Sequence, residues 1–143
     1  MGYAPKFFGC DGLDGILGVE NFDASLAEGV MLLTPFAADS KDQATQDFVK
    51  AYKAAYNDET PNQFAADAYD GVKILAKLIE SQKITGDMNA SDICEKLKAG
   101  ITAADFSYDG LTGTGMKWNA NGEVSKPPKA VVIKDGNYAA LDN

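Results

Sequence analysis

The chain has 143 residues, a formal charge of −8, 45% hydrophobic and 24% charged residues, the proportions of a folded domain rather than of a disordered or membrane-spanning chain. All 13 cations are lysine. The lack of arginine and histidine excludes guanidinium clamps for phosphate and imidazole-activated nucleophiles and removes the commonest metal ligand, while the net charge opposes nucleic acid and anionic membranes.

In chain order, Lys6–Cys10 is a short apolar run that reads as a strand ending in the Asp11-Gly12 turn. Residues 12–28 carry three glycines and several acids and read as loop, with a short helix near Asn21–Ala27. Gly29–Leu33 is continuously apolar, the pattern of a strand covered on both faces, and Thr34-Pro35 closes it because proline offers no ladder donor. Ser40 followed by Gln43 has capping-box spacing and predicts a helix from there to about Tyr56. A second helix is predicted over about 62–81, with Ala65, Ala68, Tyr69, Val72, Leu75, Ala76 and Ile79 on one stripe toward the core. Ser91 and Gly100 bracket a third as N-cap and terminator. Residues 110–122 are rich in Gly, Thr and Asn, with a strand at Gly115–Trp118. Ala130–Ile133 and Asn137–Leu141 flank Asp135-Gly136, a hairpin signal. The expected fold class is α/β, a mostly parallel sheet flanked by helices with a C-terminal antiparallel hairpin.

A series of short motifs, Glu28-Gly29-Val30, Thr34-Pro35-Phe36, Phe48-Val49-Lys50-Ala51-Tyr52 and Ala68-Tyr69-Asp70-Gly71-Val72, resembles the branched-chain amino-acid binding proteins of ABC importers, the type I periplasmic-binding fold. The tail, Gly110-Leu111-Thr112-Gly113-Thr114, then Trp118-Asn119 and Asn121-Gly122 and a Val-Val-Ile hairpin, also resembles that family's C-terminus. Members are more than twice this length and have two lobes, so the resemblance implies the C-terminal portion only. It places 1–34 at the end of the second lobe, 35–124 at the end of the first, and 125–143 in a hairpin returning to the second. Met1-Gly2-Tyr3-Ala4-Pro5 shows no basic stretch followed by an apolar one, so the expectation is either a cytoplasmic protein or a piece of a longer one, and the resemblance favours the piece. It further implies an extracytoplasmic protein, periplasmic or extracellular, that binds a small-molecule amino acid and docks on an ABC transporter permease. No enzymatic activity and no cofactor is implied.

There are three ligand-binding candidates, the first two assigned by the resemblance. Asp11, in the loop after the first strand, pairs with the ligand's α-ammonium, although the family more often has Glu there. Phe64 lines the side-chain pocket. Tyr69 is a weaker third candidate, because its place in the stripe is that of a core residue. Asp11 and Asp14 in one Gly-rich loop also read as solvated turn acids, since they lack both a cleft-spanning separation and the acid spacing of a calcium loop. Cys10 and Cys94 allow one disulfide; neither has a histidine to activate it, and both read as inert. A different class, a small flavodoxin-like or receiver-type signalling domain phosphorylated on Asp11 with Lys134 after a late strand, also fits the length. A chain holding parts of two lobes leaves faces open and is expected to form a homo-oligomer or to repack into one sheet.

Overall fold

The structure is a computed structural model that describes residues 4–141. Met1–Tyr3, read above for a leader, and the end of the segment 125–143 lie outside the described residues. Among the described residues, no helix is long and apolar enough to cross a membrane. The chain divides into two compact units, 4–66 with 128–141, and Asp67–Pro127.

The first unit holds a four-stranded sheet in the order β1 (Phe8–Gly9), β2 (Met31–Thr34), β3 (Lys129–Lys134), β4 (Asn137–Ala140). The α/β class and the closing hairpin stand, but the mostly parallel sheet does not. Only β1 and β2 run parallel, Phe8 beside Met31; β2 pairs antiparallel with β3 and β3 with β4. The reason is connectivity. β3 arrives at β2 from the far end of the chain, and its only local connection is a two-residue turn, which forces an antiparallel neighbour. Asp135 and Gly136 both hold positive φ, 51° and 71°, the geometry that matches the twist of paired strands.

β2 is covered less evenly than its apolar run suggests: Leu32 and Thr34 are buried, Met31 and Leu33 half-buried. The covered face joins Ala27, Leu32, Ala37, Val131 and Ile133 into a core, with Leu13, Ile16, Leu17, Phe22, Val30 and Tyr138 packed around it. Between β1 and β2 the chain makes three short 3-10 turns, Asp11–Leu13, Ile16–Gly18 and Ala24–Ala27, rather than one helix.

Helix α1 (Gln43–Ala55) is capped by Asp42, not Ser40. Asp42 Oδ1 accepts from the Ala44 and Thr45 amides at 3.0 and 3.2 Å, whereas Ser40 lies too early and donates its hydroxyl to Asp42 at 3.2 Å. The same one-turn competition moves the start of α3 (Ala90–Ile101) from Ser91 to Asn89, whose side chain accepts the Asp92 amide at 3.0 Å. Gly100 does not terminate α3. The helix runs through it, and a Cβ there would come within 2.9 Å of Leu78 and Gln82 side-chain atoms, so close approach explains the glycine.

Helix α2 (Gln63–Ser81) forms where expected but buries a different row. Ala66, Asp70, Ile74 and Leu78 are buried, while Tyr69, Val72, Leu75 and Ile79 are exposed, Val72 by 67%. In the second unit two antiparallel bridges, Tyr108 with Met116 and Trp118 with Val124, stand where a strand at 115–118 was expected. Asp70 organises this unit. Its carboxylate, 3% exposed, accepts the Leu111 and Thr112 amides at 2.9 Å each and the Thr112 hydroxyl at 2.8 Å. Gly110 lets that loop approach, since a Cβ there would sit 2.5 Å from the carboxylate.

Candidate ligand-binding site

Asp11 opens the first 3-10 turn directly after β1, with its side chain exposed and one carboxylate oxygen accepting the Gly12 amide at 3.0 Å. The strand delivers it to the end of the sheet, and the Gly9-Cys10-Asp11-Gly12 sequence turns the chain there. Its backbone carbonyl accepts two donors, the Asp14 amide at 2.9 Å and Gln63 Nε2 at 2.7 Å.

Asp14 is not the solvated turn acid expected from its neighbours. It is half-buried, and its Oδ2 accepts the Gln63 backbone amide at 2.9 Å, satisfying an orphan donor in the first turn of α2. Asn62 serves the same turn locally by accepting the Ala65 amide at 3.2 Å. Thr34, at the end of β2, has one hydroxyl proton and three acceptors within reach: the Phe36 carbonyl at 3.0 Å, Asp14 Oδ2 at 3.3 Å and Gln63 Oε1 at 3.4 Å. Gln63 itself is 1% exposed. The far side of the loop is held by Tyr138 of β4, whose hydroxyl accepts the Gly15 amide at 2.9 Å. Burial pushes the Tyr138 phenol up; the amides of residues 15–17 oppose this and the Asp14 charge adds to it.

Phe64 follows Gln63 in the first turn of α2 and is 51% exposed, so it is not a core aromatic. The first unit therefore brings the Asp11 loop against the helix start that carries Phe64, with Gln63 as the link. Tyr69 is placed differently. It belongs to the second unit, is 42% exposed rather than core, and has Lys73 Nζ 5.4 Å from its ring centroid. A cavity of about 10 Å³ lies beside the Asp14–Thr34 cluster, bounded also by Phe36, Pro61 and Tyr138. It has room for about one water molecule, far too little for an amino acid.

Among the described residues no three His, Cys, Asp or Glu side chains form a group that could hold a metal ion. Cys10 and Cys94 are both free and exposed. The flavodoxin-like alternative calls for a parallel sheet, which the antiparallel pairings β2–β3 and β3–β4 do not supply.

Gln63 and Asp14 are the residues that the sequence reading missed. Gln63 carries no local signal, and Asp14 finds its partner 49 positions away.

Residues 2–137 match the periplasmic binding protein family. The chain is similar to a branched-chain amino acid transporter substrate binding protein from Streptococcus pneumoniae solved in complex with isoleucine, at 26% identity and TM-score 0.75, over 98% of this chain and 37% of that one. A leucine binding protein from Thermotoga maritima aligns at 21% identity and TM-score 0.69 over 99% of this chain and 37% of that chain. An ABC transporter solute binding protein from R. palustris in complex with benzoate aligns at 21% and 0.74, over 95% and 35%. The last two likenesses establish the fold. No curated protein matches the sequence. The chain spans little more than a third of the length of these three structures. It belongs to the periplasmic binding protein family and carries part of that family's fold.

Proposed function

We propose that this chain is part of an extracytoplasmic solute-binding protein that captures an amino acid, branched-chain or similar, and hands it to the permease of an ABC importer. In this reading the intact receptor holds the ligand between two lobes that close about their connections. Asp11 receives the α-ammonium through a charge-assisted hydrogen bond, and Phe64 and Tyr69 shape the space for the side chain. The intact protein works outside the cytoplasm, soluble or lipid-anchored.

One observation carries the reading: an exposed carboxylate at a strand end is tied, through Gln63, to a helix start that presents an exposed aromatic ring. Strand ends are where open α/β sheets take ligands. The isoleucine found with the S. pneumoniae structure supports an aliphatic amino acid; the benzoate found with the R. palustris structure leaves an aromatic acid as the competing ligand.

The test is calorimetry of isoleucine and of benzoate on the receptor containing this segment. Isoleucine binds, and Asp11→Ala weakens it by about 10- to 100-fold, the worth of one charge-assisted bond. Unchanged isoleucine affinity in that variant removes Asp11 from the site. Binding of benzoate alone replaces the amino-acid reading with an aromatic-acid one.

A further inference from the structure

We infer that Gln63 and Asp14 are positioning residues for the ligand carboxylate Asp11, an inference that rests on the receptor reading above. Two hydrogen bonds join residue 63 to the loop after β1, and they run from different parts of the same residue. The Gln63 backbone amide donates to Asp14 Oδ2 at 2.9 Å, and the Gln63 side-chain amide donates to the Asp11 carbonyl at 2.7 Å. The Asp11 carbonyl also accepts the Asp14 amide at 2.9 Å, so both of its lone pairs are engaged. The peptide unit following the Asp11 Cα is thereby clamped, and with it the backbone that sets where the Asp11 side chain projects.

Burial makes the clamp stiff. Gln63 is almost wholly inaccessible, and a buried amide released from its partners keeps the cost of desolvation without the bonds. Asp14 is anchored in turn by the start of α2, where a negative charge is favoured, and stands within reach of the Thr34 hydroxyl at 3.3 Å. Asp11 itself is exposed and its side chain accepts the amide of the adjacent Gly12, so its direction depends on the backbone beneath it. Gln63 and Asp14 do not touch the ligand in this scheme; they act through Asp11.

Two measurements test this. In hydrogen exchange on the 143-residue chain, Gln63→Met keeps the bulk and removes the amide. The Leu13 and Asp14 amides, which close the 3-10 turn, are expected to exchange about tenfold faster, with the β3–β4 amides unchanged. Uniform acceleration, or none, overturns the inference. In isoleucine calorimetry on the receptor, Gln63→Met is expected to weaken binding about tenfold, yet to add nothing in the Asp11→Ala background. Asp14→Asn, which keeps an acceptor for the Gln63 amide, stays close to the parent, whereas Asp14→Ala follows Gln63→Met. Losses that multiply in the double variant show a role independent of Asp11 and also overturn the inference. Isoleucine binding that is indifferent to Asp11→Ala instead defeats the receptor-site reading, and the exchange experiment still reports on the clamp separately.

Discussion

The two units solve the burial problem in opposite ways. In the first, a pleated sheet sends alternate residues to one side, and Leu32, Val131 and Ile133 form an apolar core, with Thr34 and Gln63 buried as well and hydrogen-bonded. In the second, α2 turns the row Asp70, Ile74 and Leu78 inward and leaves its broader apolar stripe outside, so a buried carboxylate organises the neighbouring loop. The comparison teaches that an apolar stripe selects a helix but does not choose what it packs against. A helix stripe is hidden only when another layer lies over it. Here the described residues of the second unit form isolated bridges and no strand.

Five predictions press on that contrast. The largest effect is expected in the sheet core, where Ile133→Ala or Leu32→Ala should cost about 2–5 kcal/mol in urea unfolding, because the close-packed site cannot collapse. Next comes Asp70→Ala, expected to cost about 3 kcal/mol, since two backbone amides and a hydroxyl lose their acceptor in a buried place. If that variant is as stable as the parent, the second unit is organised by something other than the carboxylate.

On α2 itself, Ile74→Ala should cost about 2 kcal/mol, and Val72→Ala about 0.5 kcal/mol or less, at any protein concentration where the chain is monomeric. Light scattering on the same samples sharpens this. If the exposed stripe joins two copies, Val72→Lys lowers the mass at a given concentration; if it does not, the mass is unchanged.

The smallest effects are at single polar contacts. Asp42→Ala removes the α1 cap and should cost about 1 kcal/mol at neutral pH. The Thr45 hydrogen bonds, ahead of those from Ser40 and Ala44, hold the Asp42 carboxyl below its ordinary value. A lowered carboxyl stabilises the fold above the unfolded value and loses that contribution as pH falls through the folded one, so parent and variant should converge in acid. Tyr138 gives the opposite sign. Burial raises its phenol, so its contribution is intact below about pH 10 and lost as pH rises through the folded value; Tyr138→Phe should cost about 1 kcal/mol and flatten the alkaline slope.

The hairpin at 129–140 was legible in the sequence because Asp135-Gly136 encodes a two-residue turn locally. Helices α1, α2 and α3 were legible from periodicity, but their caps were not, because Ser40 competes with Asp42, and Ser91 with Asn89, within one turn. Of the candidate site, the place of Asp11 at a strand end and of Phe64 at a helix start could be read locally. The Gln63 and Asp14 clamp could not, since its partners lie 49 and 52 positions apart.

By itself, then, the sequence determined what depends on near neighbours: the α/β class, the terminal hairpin, the helical stretches, and the exclusion of arginine- and histidine-based chemistry. Tertiary structure alone decided the antiparallel joining of β2 to β3, the inward face of α2, and the tie between Asp11 and Gln63. Each of those brings together residues far apart in the chain, and such contacts are chosen by which surfaces can be buried at once rather than by any local propensity.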